Sequence, residues 1–156
     1  MINNIVTSLT YENIYLFANW GILPFWILLI VAPNQGVTRA LTQSVIAPLI
    51  LAAGYIFIAY KIYLEGNIFE GFSLYLSLED LYSLFSDESF LLIFWLHFLS
   101  ISLFAGCWIV RDSQRYLVPR VLTVISLTLT YFSGPIGLMV YWFVRIFFAK
   151  KISFNE

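Results

Sequence analysis

The sequence predicts an all-α polytopic membrane protein: a bundle of four transmembrane helices with a short amphipathic interfacial helix between spans 2 and 3. Three observations carry this. Of the 156 residues, 61% are apolar and only 11% are charged. A soluble domain carries about 45–50% and about 25%, so this chain has too little polar surface to cover its apolar mass. Mean hydropathy is +0.87. Four apolar runs are each long enough, at about 20 residues, to cross about 30 Å of hydrocarbon. Backbone groups in lipid must pair within their own segment, which makes helix the state of these runs.

The first span is read at residues 14–32, ending at Pro33-Asn34. The second is read at 44–64. The third is read at 90–110 and stops at Arg111-Asp112, where an arginine suits a helix C-terminus and reads as an end-of-helix anchor. The fourth is read at 121–148 and stops at Lys150-Lys151. The whole chain, 1–156, reads as one membrane domain without repeat or linker. The long second connection holds Glu65, Glu70, Glu79, Asp80, Asp87 and Glu88. Within it, Ser77 is followed three residues later by Asp80, a capping-box form. Leu78, Leu81, Tyr82 and Phe85 then share one face at helical spacing, which predicts a helix lying on the bilayer surface.

Basic residues leave the orientation undecided. A four-span path puts Lys61, Arg145, Lys150 and Lys151 on one side and Arg39, Arg111, Arg115 and Arg120 on the other. The short arginine-bearing connections favour termini that face away from the cytoplasm. The first 13 residues carry no Lys or Arg and lack the form of a cleaved signal, so the first apolar run is expected to be retained.

Composition excludes several functions. A net charge of −1 gives no basic field for nucleic acid. One histidine, His97, and one cysteine, Cys107, exclude a multi-histidine metal centre and an intrachain disulfide. No metal and no cofactor is expected.

Polar groups at membrane depth are functional candidates by default. The first span has Asn19 and Trp20 ahead of Pro24. The third has His97, Ser100 and Ser102. The fourth has Thr128, Thr130, Tyr131 and Ser133 ahead of Gly134-Pro135. Each proline lacks an N–H and frees the carbonyl four residues back. One reading gathers His97, Asn19, Trp20, Ser100 and Tyr131 into a polar pocket. The other has two kinked helices satisfied locally by Ser and Thr. His97 is the candidate acid–base residue. Ser102 and Gly106 form a small-xxx-small pair suited to close helix packing, and Gly134 and Pro135 are read as packing and kink residues.

Three blocks, in order, carry a resemblance. The first is Leu16-Phe17-Ala18-Asn19 with Leu23-Pro24-Phe25-Trp26 and Ala32-Pro33. The second is Trp95-Leu96-His97-Phe98-Leu99, then Leu103-Phe104-Ala105-Gly106, Trp108-Ile109 and Arg111-Asp112. The third is Gly134-Pro135-Ile136-Gly137-Leu138. Together they resemble the neoxanthin-synthase family of small membrane proteins, also called abscisic-acid-deficient-four-like. The run Arg111-Asp112-Ser113-Gln114-Arg115 is similar to bacterial members. The resemblance implies a multi-pass protein of a bacterial inner membrane that isomerises a carotenoid or another isoprenoid by acid–base chemistry. It also implies an Asp five residues after the histidine, where this chain has Ser102. The alternative is a non-catalytic scaffold or assembly factor for a pigment or lipid system. Expected partners are membrane lipids and an isoprenoid, with a homo-oligomer or a membrane protein partner left open.

Overall fold

The computed structural model describes residues 10–44, 46–64 and 68–150. Glu65 and Lys151 of the sequence reading lie outside them. All regular structure among the described residues is helical: α1 (Tyr11–Val31), α2 (Gly36–Ser44), α3 (Ile46–Leu64), a 3₁₀ helix (Ile68–Tyr75), α4 (Leu78–Phe85), α5 (Glu88–Arg115), α6 (Arg120–Ser133) and α7 (Pro135–Ala149). Three of these, α1, α3 and α5, are long and apolar enough to cross a membrane. They correspond to the first three expected spans. The chain divides into two compact units, one of Met1–Gly21 with Leu49–Ser100 and one of Ile22–Pro48 with Ile101–Glu156.

In the first unit, Ile58, Ile62, Leu92, Leu96 and Leu99 form the buried core. Gly54 lets α3 lie against Leu96, 3.7 Å from where a Cβ would stand. The Lys61 ammonium sits 4.6 Å from the centre of the Tyr11 ring, which ties the end of α3 to the start of α1. Helix α4 begins where the capping box predicts: the Asp80 N–H donates to Ser77 Oγ at 3.0 Å. Its inward residue is Leu84, whereas Leu78 and Tyr82 are exposed. The single apolar face read from the spacing is therefore split between the protein and its surroundings.

Asp87 starts α5. Its Oδ1 accepts from the N–H of Ser89 at 2.9 Å and of Phe90 at 3.2 Å, and from the Ser89 hydroxyl. The Ser89 hydroxyl bond is the main cause of a carboxyl held below its ordinary value of 3.8; desolvation opposes it and the Phe90 and Ser89 backbone bonds add to it. A depressed carboxylate contributes its stability in full above the unfolded value and loses it as pH falls through the folded one. Asp87→Ala is expected to cost about 0.5–2 kcal/mol, the usual range for a lost cap. Melting curves in detergent at neutral pH and in acid check this: the gap between wild type and variant should close as pH falls through the lowered value of the Asp87 carboxyl.

In the second unit, the run 121–148 is not one helix. Gly134 interrupts it at φ 53 and ψ −84, a backbone state open to glycine. Its N–H still closes α6 on the Thr130 carbonyl, 2.8 Å away. Pro135 is the first residue of α7, where its missing N–H costs nothing. The expected mid-helix kink is therefore corrected to a complete break. The break also reverses the chain. A Cβ on Gly137 would lie 2.1 Å from the Thr130 backbone nitrogen, whereas seven residues of continuous helix would hold them about 10 Å apart. The start of α6 is fixed by the Arg120 guanidinium, which donates to the Val31 carbonyl at 2.6 Å. The far end of α7 comes back to the C-terminal end of α5, where Arg145 meets Asp112. So α6 and α7 form a hairpin with its tip at Gly134.

Three hydroxyls of α6 are satisfied within the helix. Ser126 donates to the Leu122 carbonyl, Thr130 to that of Ser126 and Ser133 to that of Leu129, at 2.8–2.9 Å. The local alternative of the sequence reading describes these hydroxyls.

Candidate functional site

The residues named from the sequence fall in both units. In the first, His97 is exposed on α5, with its ring centre 6.3 Å from that of Tyr55 and 6.4 Å from that of Phe94. Asn19 does not hydrogen-bond the imidazole. Its Oδ1 accepts from the Trp95 indole N–H at 2.8 Å. That bond fixes Trp95 as one wall of a groove of about 480 Å³, lined also by Tyr11, Glu12, Tyr15, Glu88 and Leu92. Trp20 is 70% exposed, and Ser100 is half-buried.

In the second unit, Tyr131 stands edge-on to Trp26, with ring centres 5.4 Å apart. Ser102 and Gly106 are buried. A Cβ on Gly106 would meet the Trp26 indole at 2.9 Å, so Trp26 packs directly against this glycine. Gly134 and Pro135 form the hairpin tip.

The second unit also holds a polar cluster outside the sequence-read candidates. Asp112 Oδ2 accepts from the Tyr141 hydroxyl at 2.7 Å and from Arg145 Nε at 2.9 Å. Arg145 Nη2 reaches the Tyr116 hydroxyl at 3.4 Å. The Arg145 side chain is 1% exposed and that of Asp112 is 10% exposed. The guanidinium also stacks 4.8 Å from the Tyr116 ring and 5.1 Å from that of Trp142. An arginine this buried needs its carboxylate, because an unpaired charge in a low-dielectric site is strongly disfavoured. The sequence offers one acid between residues 89 and 150, and it is Asp112. That count, with Arg145 set inside an apolar run, was the signal available for finding the pair.

Beside the cluster runs an apolar groove of about 630 Å³, lined by Ile101, Phe104, Trp108, Pro135, Leu138 and Trp142, among others. Trp108 packs edge-on against Tyr141, with ring centres 5.4 Å apart. Trp108 and Trp142 thus each touch the groove on one side and the cluster on the other. The groove can take a flat or extended apolar molecule. No group of three or more potential metal ligands exists among the described residues.

The Arabidopsis thaliana protein named Protein ABA DEFICIENT 4, chloroplastic, is 26% identical over 155 residues, covering 97% of this chain and 67% of that protein. No solved structure gives a significant match. The ABA DEFICIENT 4-like family model matches residues 13–141, a stretch that takes in Asn19, His97, Asp112 and Tyr141. The chain belongs to the ABA DEFICIENT 4-like family.

Proposed function

We propose that this protein isomerises a carotenoid or another long isoprenoid dissolved in the bilayer, by acid–base chemistry at His97. Family membership supports the substrate class. The observation that carries the site is the exposure of the His97 imidazole on an apolar helix, bordered by Tyr55 and Phe94. A substrate held in lipid reaches such a group sideways, without a gate. An isomerisation moves a proton and needs neither oxidant nor reductant. With Ser102 buried at the position of the family's implied carboxylate, the imidazole serves both transfers in turn. For an isoprenoid epoxide, its protonated form gives a proton to the epoxide oxygen as the C–O bond opens to an alcohol, and its neutral form then takes a proton from a neighbouring carbon, whose C–H electrons form the new double bond.

Asn19 acts through Trp95, shaping the wall of its groove. A bacterial inner membrane is the proposed location, on the character of residues 111–115. The scaffold reading takes the Ser102 and Gly106 face and the acidic surface helix, α4, as its contacts. Trp26 of the same chain packs against Gly106, which removes that part of the surface and favours the catalytic reading.

Extraction of isoprenoids and pigments from host membranes tests the proposal. Expression of the chain is expected to convert one isoprenoid to an isomer of equal mass. His97→Ala is expected to lower conversion at least about 100-fold while the protein accumulates in the membrane at the wild-type level. An identical extract with and without the chain, or full conversion by the variant, would defeat it.

A further inference from the structure

We infer that the α6–α7 hairpin enters the bilayer and returns to the side it came from, so that the chain crosses the membrane three times. Lengths support this first. The 14 residues of α6 and the 15 of α7 rise about 21 and 22 Å at 1.5 Å each, short of about 30 Å of hydrocarbon. The anchoring contacts support it second. Arg120, at the open end of α6, holds the last carbonyls of α1. Arg145, near the end of α7, holds Asp112 in the last turns of α5. Both open ends therefore lie at one end of α5, and the Gly134 tip is the deep point. Irregular backbone at depth is tolerated where protein covers it. Here the Gly137 backbone is seated against Thr130.

Charge gives an independent argument. On a four-crossing path, basic residues split evenly, four and four. Returning the C-terminal stretch to the side of Arg39, Arg111, Arg115 and Arg120 moves Arg145, Lys150 and Lys151 of the sequence with it. The count becomes seven on that side, with Lys61 alone on the other. Basic residues close to membrane segments favour the cytoplasmic side. The arginine-bearing connections and the end of α7 thus face the cytoplasm, and the start of α1 and helix α4 face away. The expectation that both termini share a side gives way to a start of α1 and an end of α7 on opposite sides.

Cysteine labelling decides between the paths. In a Cys107→Ser background, Glu79→Cys, Leu117→Cys and Lys150→Cys place thiols at three exposed positions. Intact cells receive a membrane-impermeant maleimide before or after permeabilisation, and labelling in detergent confirms that each thiol reacts. Glu79→Cys is expected to label in intact cells. Leu117→Cys and Lys150→Cys are expected to label only after permeabilisation. Lys150→Cys labelling together with Glu79→Cys, apart from Leu117→Cys, would overturn the returning hairpin. Leu117→Cys and Lys150→Cys labelling together from outside would keep the return path and overturn the cytoplasmic assignment.

Discussion

Asp112→Ala is expected to destabilise the protein by about 3–5 kcal/mol, the cost of breaking a buried ion pair by removing one partner. The variant would leave the Arg145 guanidinium, 1% exposed, without its carboxylate. It would also deprive the Tyr141 hydroxyl of its acceptor. The reverse variant, Arg145→Ala, leaves a lone carboxylate that is 10% exposed and should cost less, because water reaches it more readily. Removing both charges at once, as Asp112→Leu with Arg145→Met, is expected to recover much of the loss, since apolar replacements of a buried pair are often neutral or stabilising. Thermal melts of the four proteins in detergent read this pattern directly. Equal losses in the single and double variants would mean that the pair contributes through its shape and not its charge.

The second large effect is expected at Gly137. A methyl group there would stand 2.1 Å from the Thr130 nitrogen, 2.3 Å from its Oγ1 and 2.5 Å from its Cα. Two of these three are backbone atoms, which cannot rotate away as the end of a side chain can. Gly137→Ala should therefore exceed the usual overpacking cost of about 1–3 kcal/mol and force the hairpin to open at its tip. Gly21→Ala supplies the contrast. Nothing lies within 4 Å of its Cβ position, so the change should be neutral or favourable by up to about 1 kcal/mol through helix propensity. Yield of monodisperse protein and melting temperature should fall for Gly137→Ala and hold for Gly21→Ala.

The two sites share a cause. Arg145 reaches Asp112 only because the chain reverses at Gly134. On a straight path, 25 helical residues after Arg120 would carry position 145 about 38 Å away along the axis, far from Asp112. Reading 121–148 as one span therefore hid the ion pair. It placed the two partners on opposite sides of the membrane, where nothing suggested that they meet.

Other features were legible because they depend on neighbours in sequence. The apolar runs of α1, α3 and α5 announce themselves by length, and Ser77 with Asp80 marks the start of α4 within four residues. Gly134-Pro135 was legible as a kink within one span, but the full reversal is a property of one glycine's φ and ψ. Partners far apart in the chain were not legible. Asn19 and Trp95 are 76 residues apart, and Asp112 and Arg145 are 33 apart. One of the two sequence readings placed Asn19 in a polar pocket with His97. The indole N–H of Trp95, two residues earlier on the same helix, holds it instead.

The reversal at Gly134 holds the second unit's cluster and groove together, and an intramolecular distance measures it. Spin labels at Leu117 and Phe148, both exposed, in a Cys107→Ser background read the separation between the start of the hairpin and its end. The folded-back chain predicts about 10–25 Å, the spacing of neighbouring helices plus label arms. A separation of about 40 Å, the rise of a continuous helix from residue 120 to 148, would contradict it.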